Sequence, residues 1–457
     1  MQSDRYDAVV IGAGIGGMCA AALLVKEGYK TLVVEMLDHM GGRFSTEEVD
    51  GYRLRTGGCG IHFEGMVPKV FKEVGAKLDI RPNKSELCYR LHGVDHWVSL
   101  ENRGVKAMLD ILGKTDVNRT SIMGGLAKEI AGEKILGAFQ RSHDLSKKEK
   151  GTVREWLMRY TDNKDLHDFF DMTTTNMGMG RAYEFPAAAF FYFMANVGGM
   201  ADTGVVPMGT IQIYDELSKV IKSNGDIWLG SPAKKIMVRK GTAASVVIEK
   251  EGNEEIEVEC KTIVSDVGPE MTSRLAEYKD YDDNFLSDMR VKMRPVPITL
   301  GAIGSEKRLW PPEGKTSGHL TPLGLRRITA VMAITESCPE MAPSGHHLLY
   351  FVATPPSTLC PMNPDVEVSE IKMDLEELFP DYERYGKILK IEPRNIDHFL
   401  PEGRSWQSPS FCTSFKTPVK NLYDVGDGVI AGGAIGSSGS AESAKKAVDL
   451  IKKTVKR

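Results

Sequence analysis

Three glycines and one acid near the start of the chain have types and spacing that point to a definite chemistry. In Gly12-Ala-Gly14-Ile-Gly-Gly17, Gly12 permits a tight bend, Gly14 lets backbone approach a pyrophosphate, and Gly17 lets a helix pack closely on a strand. The first amides of that helix then face an anion. Glu35 follows at the distance where a second strand ends, so its carboxylate is placed to accept ribose hydroxyls and to disfavour a 2'-phosphate. Together these residues read as a dinucleotide-binding turn.

The elements that must position them are legible on either side. Tyr6 to Gly12 is an apolar run suited to a buried parallel strand, and Ile15 to Glu27 is rich in alanine and leucine, as a helix requires. Gly28 ends that helix, and Thr31 to Glu35 supplies a second strand, which completes a β-α-β unit.

The chain has 457 residues, enough for two or three units at ~150 residues per domain. Hydrophobic residues are 42% and charged residues 26%, an ordinary soluble composition that argues against disorder. A net charge of -4 gives no electrostatic reason to expect nucleic acid or an anionic membrane as a partner. Seven cysteines without a C-x-x-C pair argue against a disulfide framework and for a cytoplasmic setting. The start of the chain runs straight into a strand, so no signal peptide is expected. The apolar stretch from Phe185 to Met200 is shorter than the ~20 residues that span a bilayer, and no transmembrane helix is expected.

Further along, Glu86 to Val205 reads as helical and irregular, with Lys147, Lys148 and Lys150 as a solvated face. Residues 206 to 275 predict a helix from Ile211 to Ser223 and strands near Ile227 to Leu229, Ala244 to Glu249 and Thr262 to Asp266. Ile298 to Ile303, Arg327 to Ile334 and His347 to Ala353 predict a second sheet. A strand at Leu422 and a helix from Ala441 to Lys453 close the chain.

Met40-Gly41-Gly42-Arg43, Gly51-Tyr52 and Gly57-Gly58 lie just beyond Glu35, and Thr417-Pro-Val-Lys-Asn-Leu-Tyr-Asp-Val-Gly426-Asp427 lies near the end. These segments resemble the flavoprotein superfamily of carotenoid (phytoene) desaturases and monoamine oxidases, more closely the desaturase-like branch. The resemblance implies noncovalent FAD. It makes Gly42, Arg43 and Gly58 cofactor-binding residues, with Arg43 as a ligand of the pyrophosphate, and it gives Asp427 the ribityl-phosphate region. It pairs the backbone of Ala233, in Ser231-Pro-Ala-Lys-Lys-Ile236, with adenine, and brings Ile435, Gly436 and Ser437 to the flavin ring. Asp266 to Pro269 resembles the family's Asn/Asp-x-x-Pro stretch. One departure is that the family's His-Pro pair is here Ile430-Ala431. The implied fold is α/β, a Rossmann-like FAD-binding domain of the glutathione-reductase type with an interleaved α+β substrate domain. The expected boundaries are 1–85, 206–275 and 405–457 for the first, and 86–205 and 276–404 for the second.

The flavin would take hydride, and the protein would place a C–H bond against it. Phe185, Phe190, Phe191, Tyr192, Phe193 and Met194 are suited either to an apolar pocket or to ordinary core. Amine oxidases of the superfamily put an aromatic residue where this chain has Gly433, which tilts the expectation toward desaturation of an isoprenoid, alicyclic or carbonyl-activated apolar compound. Amine oxidation stays open, as does a non-catalytic protein of the kind that escorts prenylated GTPases. His62, Tyr183 and Tyr192 are the acid–base candidates. Cys59 and Cys412 are read as packing residues rather than flavin attachment points. Oxygen, a quinone or a second flavoprotein would serve as electron acceptor, and peripheral contact with a membrane is compatible with an apolar substrate.

Overall fold

A computed structural model describes residues 5–82, 86–99, 118–139, 151–178, 180–196, 203–250, 252, 254–293, 295–395, 406–407, 413–429 and 436–456. The glycine turn sits on a five-stranded parallel sheet in the order Gly225–Trp228, Thr31–Val34, Ala8–Ile11, Thr262–Ser265, Leu422–Asp424. Strands buried on both faces read as unbroken apolar runs, which is why Ala8–Ile11 and Thr31–Val34 were visible in the sequence. Alternate residues serve opposite layers. Val10, Val33 and Val264 pack under the helices Ile15–Lys26, Met66–Val74, Ile211–Ile221 and Gly436–Thr454. Val9, Leu32 and Ile263 face a three-stranded antiparallel sheet built from Ala233–Arg239, Thr242–Glu249 and Glu255–Glu259.

Helix Ile15–Lys26 is buried almost end to end. Its small Ala20, Ala21 and Ala22 share a core with Ala441, Ala444 and Ala447 of the last helix. That last helix begins at Gly436, five residues before the expected Ala441.

A second, seven-stranded sheet runs in the order Gly386–Arg394, Ile298–Ser305, His347–Ala353, Ile328–Ala333, Ser317–Pro322, Glu86–Leu91, Val94–Ser99. Its outer face places Ile303, Leu320, Val331 and Phe351 against Ile371 and Leu375 of helix Pro364–Leu378. The inner face turns Ala302, Leu348 and Tyr350 toward Tyr52 and Leu54 of the hairpin Thr46–Val49/Tyr52–Arg55. The hairpin Glu86–Leu91/Val94–Ser99 corrects the reading of that stretch as helical and irregular. Its turn, His92-Gly93, has positive φ at both residues (50° and 75°), the two-residue turn that matches strand twist. Polar residues on both strands hid the alternation.

The aromatic segment is core. Phe185, Phe190 and Phe191 are at most 2% exposed and pack with Trp156 and Phe170, with ring centroids 5.0 Å apart for Trp156–Phe191 and 5.7 Å for Phe170–Phe190. The side chains of Tyr192 and Phe193 lie outside the described residues, as do the lysines at 147, 148 and 150. Among the described residues no helix is long and apolar enough to cross a membrane.

Candidate functional site

The first turn is built by steric necessity. Gly12 adopts φ +96°, and a Cβ on Gly17 would collide with the Gly12 carbonyl. Gly14 is the N-cap of helix Ile15–Lys26 and has no side chain to cap it; Asp266 takes the Gly17 amide, and the amides of Ile15 and Gly16 are left for an external acceptor. Glu35 is buried, its Oε2 accepting from the Ala13 amide at 2.7 Å and its Oε1 from the Leu37 amide at 3.0 Å. The carboxylate is thereby held beside the glycine turn with acceptor capacity to spare.

The two ends of the sequence meet here. Arg43, in the short 3-10 turn Gly42–Phe44, forms a bidentate pair with Asp427, Nη1–Oδ2 at 2.8 Å and Nη2–Oδ1 at 2.9 Å. The backbone around Arg43 is fixed from three sides. Gly58 donates its amide to the Arg43 carbonyl at 3.1 Å, Thr56 Oγ1 donates to the Gly42 carbonyl at 2.7 Å, and Tyr214 donates its hydroxyl to the Phe44 carbonyl at 2.9 Å. A Cβ on Gly57 would strike the Arg43 carbonyl, which explains the Gly57-Gly58 pair.

At the centre stands Asp266. Its Oδ2 accepts the Gly17 amide at 2.8 Å. Cβ atoms on Gly14, Gly16 and Gly426 would lie 2.5, 2.7 and 2.5 Å from its carboxyl oxygens, so glycines of both motifs close around one acid. Burial pushes its carboxyl up to about 8, Asp427 and Glu35 push the same way, and the Gly17 amide and Arg43 oppose them. In the sequence Asp266 stands out only as part of a family-like stretch, and nothing local announces that Gly14, Gly16, Gly17 and Gly426 surround it.

The remaining candidates fall as follows. Ala233 begins a strand paired with Ile248, and the Ser231 amide donates to the Glu35 carbonyl at 2.7 Å, which sets this segment beside the end of the second strand. His62 ends strand Gly60–His62 opposite Thr203. That strand adjoins the start of the last helix, where Ser438 Oγ accepts the Met66 amide at 2.8 Å and Ser437 reaches the Gly60 carbonyl at 3.4 Å. Gly436, with φ +54°, opens that helix. Tyr183 is 40% exposed in the helical layer, among Arg181, Glu184 and Asp171. Cys59 is half-buried with its thiol 3.9 Å from Met332 Sδ. The Tyr192 side chain, Ile435, Gly433, Ile430, Ala431 and Cys412 lie outside the described residues.

The donor set fits FAD. A glycine face that a Cβ would fill, the two open amides of Ile15 and Gly16 at the helix start, a ribose-side carboxylate and a partly exposed guanidinium are what a diphosphate with two sugars needs. Sequence reasoning assigned no role to Gly16 or Tyr214, and Asp266 entered only as part of a family-like stretch.

Comparison with known proteins agrees with this fold. Residues 10–72 match the family model of an NAD(P)-binding Rossmann-like domain. An uncharacterized protein of Methanocaldococcus jannaschii is 25% identical over 97% of this chain and 98% of its own. A phytoene desaturase of Cercospora nicotianae is 34% identical over 96 residues, 20% of this chain and 16% of that one. Among solved structures, an oxidoreductase from Methanosarcina mazei superposes with a TM-score of 0.78 at 23% identity, covering 97% of this chain and 99% of that one. A putrescine oxidase gives 0.72 at 18% identity, covering 98% and 99%.

Proposed function

We propose that this chain, a member of the FAD-dependent oxidoreductase superfamily of amine oxidases and phytoene desaturases, is a dehydrogenase that introduces a double bond into a largely apolar substrate. The observation that carries the cofactor half of this reading is the convergence of Gly12–Gly17, Arg43 and Gly426–Asp427 around Asp266. FAD, when bound, supplies the acceptor for a hydride. The chain's residues do the rest. The open amides at Ile15 and Gly16 and the Arg43 guanidinium would hold the diphosphate, and Glu35 would hold a ribose. Asp427, paired with Arg43, would hold the ribityl side of the cofactor.

The desaturase half rests on the partial likeness to phytoene desaturase and on the inner sheet face, where Leu300, Ala330, Met332 and Val352 offer an apolar wall. His62, beside the helix that starts at Gly436, is the side chain proposed to move a proton. FAD is held without a covalent link, and the acceptor that reoxidises it is oxygen, a quinone or another flavoprotein. Amine oxidation is the second reading, favoured by the whole-chain fold likeness to putrescine oxidase.

Anaerobic mixing of the FAD-loaded protein with alkenes, cyclic ketones and amines distinguishes them. Bleaching by an unsaturated or carbonyl-activated compound, with a product two mass units lighter, is expected. Rapid bleaching by amines alone would reverse the assignment, and a colourless protein that cannot be loaded with FAD would favour the GTPase-escort type of role.

A further inference from the structure

Three arginines are buried among the described residues, and two of them are neutralised. Arg181, 5% exposed, pairs with Asp171 at 2.8 Å, and Arg394, 2% exposed, pairs with Glu392 at 2.9 Å. Arg55, 6% exposed, has no carboxylate. Its Nη2 donates to the Phe351 carbonyl at 2.8 Å. Its Nη1 meets only the sulfurs of Cys59 at 3.8 Å and Met332 at 3.9 Å, and its Nε has no partner. The guanidinium lies 5.0 Å from the Tyr350 ring centroid. Sulfur is a weak acceptor and a ring face screens little, so the guanidinium is left in a desolvated setting with donors unused.

The groups facing it do not repay that cost. His319, beside Arg55, is held neutral, its pKa lowered to about 4 by burial and then by Arg55 itself. Burial keeps the Tyr350 hydroxyl protonated. On this side Met332 and His319 keep some accessible surface while their strand neighbours Val331, Ala333, Gly318 and Leu320 are buried, and Cys59 is half-buried beside them.

The position of Arg55 says what the charge is for. It ends strand Tyr52–Arg55, two residues before the Gly57-Gly58 pair locked to Arg43, so it stands between the cofactor-side backbone and the inner face of the seven-stranded sheet. Arg394 Nη2 fastens the Thr56 carbonyl at 2.5 Å and holds that bridge in place. The apolar wall of Leu300, Ala330 and Val352 lies along the same face. We infer that the substrate is an apolar body carrying one carboxylate, and that Arg55 is the residue that binds this carboxylate. The inference rests on the dehydrogenase reading above and adds the substrate's charged head. A planar guanidinium with free donors is the side chain best suited to a carboxylate in a dry setting.

Titration calorimetry on the FAD-loaded protein tests this without turnover. The probes are decanoate and cyclohexanecarboxylate against decanamide and cyclohexanecarboxamide. The acids should bind at least ~10-fold tighter than the amides, and Arg55→Met should weaken the acids by roughly 10- to 100-fold, as loss of a charge-assisted bond implies, while leaving the amides unchanged. Arg55→Lys should restore part of the loss. Equal binding of acid and amide to the unaltered protein overturns the inference, and so does discrimination that survives in Arg55→Met. If Arg55→Met shifts the flavin midpoint potential and leaves discrimination intact, the charge serves the flavin and the inference fails. Should Arg55→Met not fold, the acid and amide pair on the unaltered protein and on Arg55→Lys decides it. Failure to hold FAD would instead sink the dehydrogenase reading, so the two failures are distinct.

Discussion

Replacing Asp266 by Asn should make the protein more stable, and increasingly so as pH rises. The side chain is surrounded by Gly14, Gly16 and Gly426, accepts the Gly17 amide, and sits in the field of Asp427 and Glu35. Its carboxyl is raised from 3.8 to about 8 on folding. A raised acid favours the native state fully below pH 4 and loses that contribution as pH climbs through 8, because the folded protein must then carry the charge it disfavours. Roughly four pH units at ~1.4 kcal/mol each would give about 6 kcal/mol as an upper bound. Asp266 keeps some solvent contact, which reduces this to on the order of 3 kcal/mol.

Asparagine keeps an oxygen for the Gly17 amide and has no charge to lose, so it mimics the protonated acid at every pH. At about 1 kcal/mol per degree for a chain of this length, the variant's Tm should exceed that of the parent by about 3 °C at pH 9 and converge with it near pH 4.5. Calorimetric melts of the FAD-free protein across that range measure it. Parallel Tm curves, or a less stable variant at pH 9, would refute the account of Asp266 as a strained acid.

Other outcomes follow from the same structure. Gly17→Ala should abolish FAD binding and lower solubility, since its Cβ meets the Gly12 carbonyl, and retention of flavin after gel filtration would contradict this. Arg43→Ala should weaken FAD affinity by ~10- to 100-fold, with Arg43→Lys intermediate because lysine loses the bidentate geometry, as read by flavin fluorescence titration. Phe191→Ala should cost about 3–5 kcal/mol of stability in denaturant melts yet leave flavin content and reduction rate unchanged, because the ring belongs to the helical core around Trp156. Asp374→Ala should cost about 3 kcal/mol or more, since this fully buried carboxylate accepts the amides of Arg326, Arg327 and Ile328 as well as the Arg326 guanidinium. FAD affinity should be unaffected.

The nucleotide turn was readable because each of its requirements is local. A strand buried on both faces must be apolar throughout, a bend with φ +96° favours glycine, and an acid must follow one β-α-β unit later. The hairpin Glu86–Ser99 was missed because its strands mix polar and apolar residues, and because the turn signal His92-Gly93 is weaker than Asn-Gly. The aromatic segment was ambiguous for a deeper reason, since an apolar pocket and a helical core call for the same residues, and only packing against Trp156 and Phe170 separates them.

The dinucleotide turn, the parallel strands around it and Glu35 are legible in the sequence because local backbone geometry and burial restrict residue type directly, whereas Arg43 and Asp427 enter as ligands through the family resemblance alone. Only the tertiary structure decided that Arg43 meets Asp427 across 384 residues, that both glycine motifs close on Asp266, and that Arg55 is buried with no carboxylate beside it. Charge pairing and desolvation depend on which groups arrive from distant strands, and that information resides in no single segment of the chain.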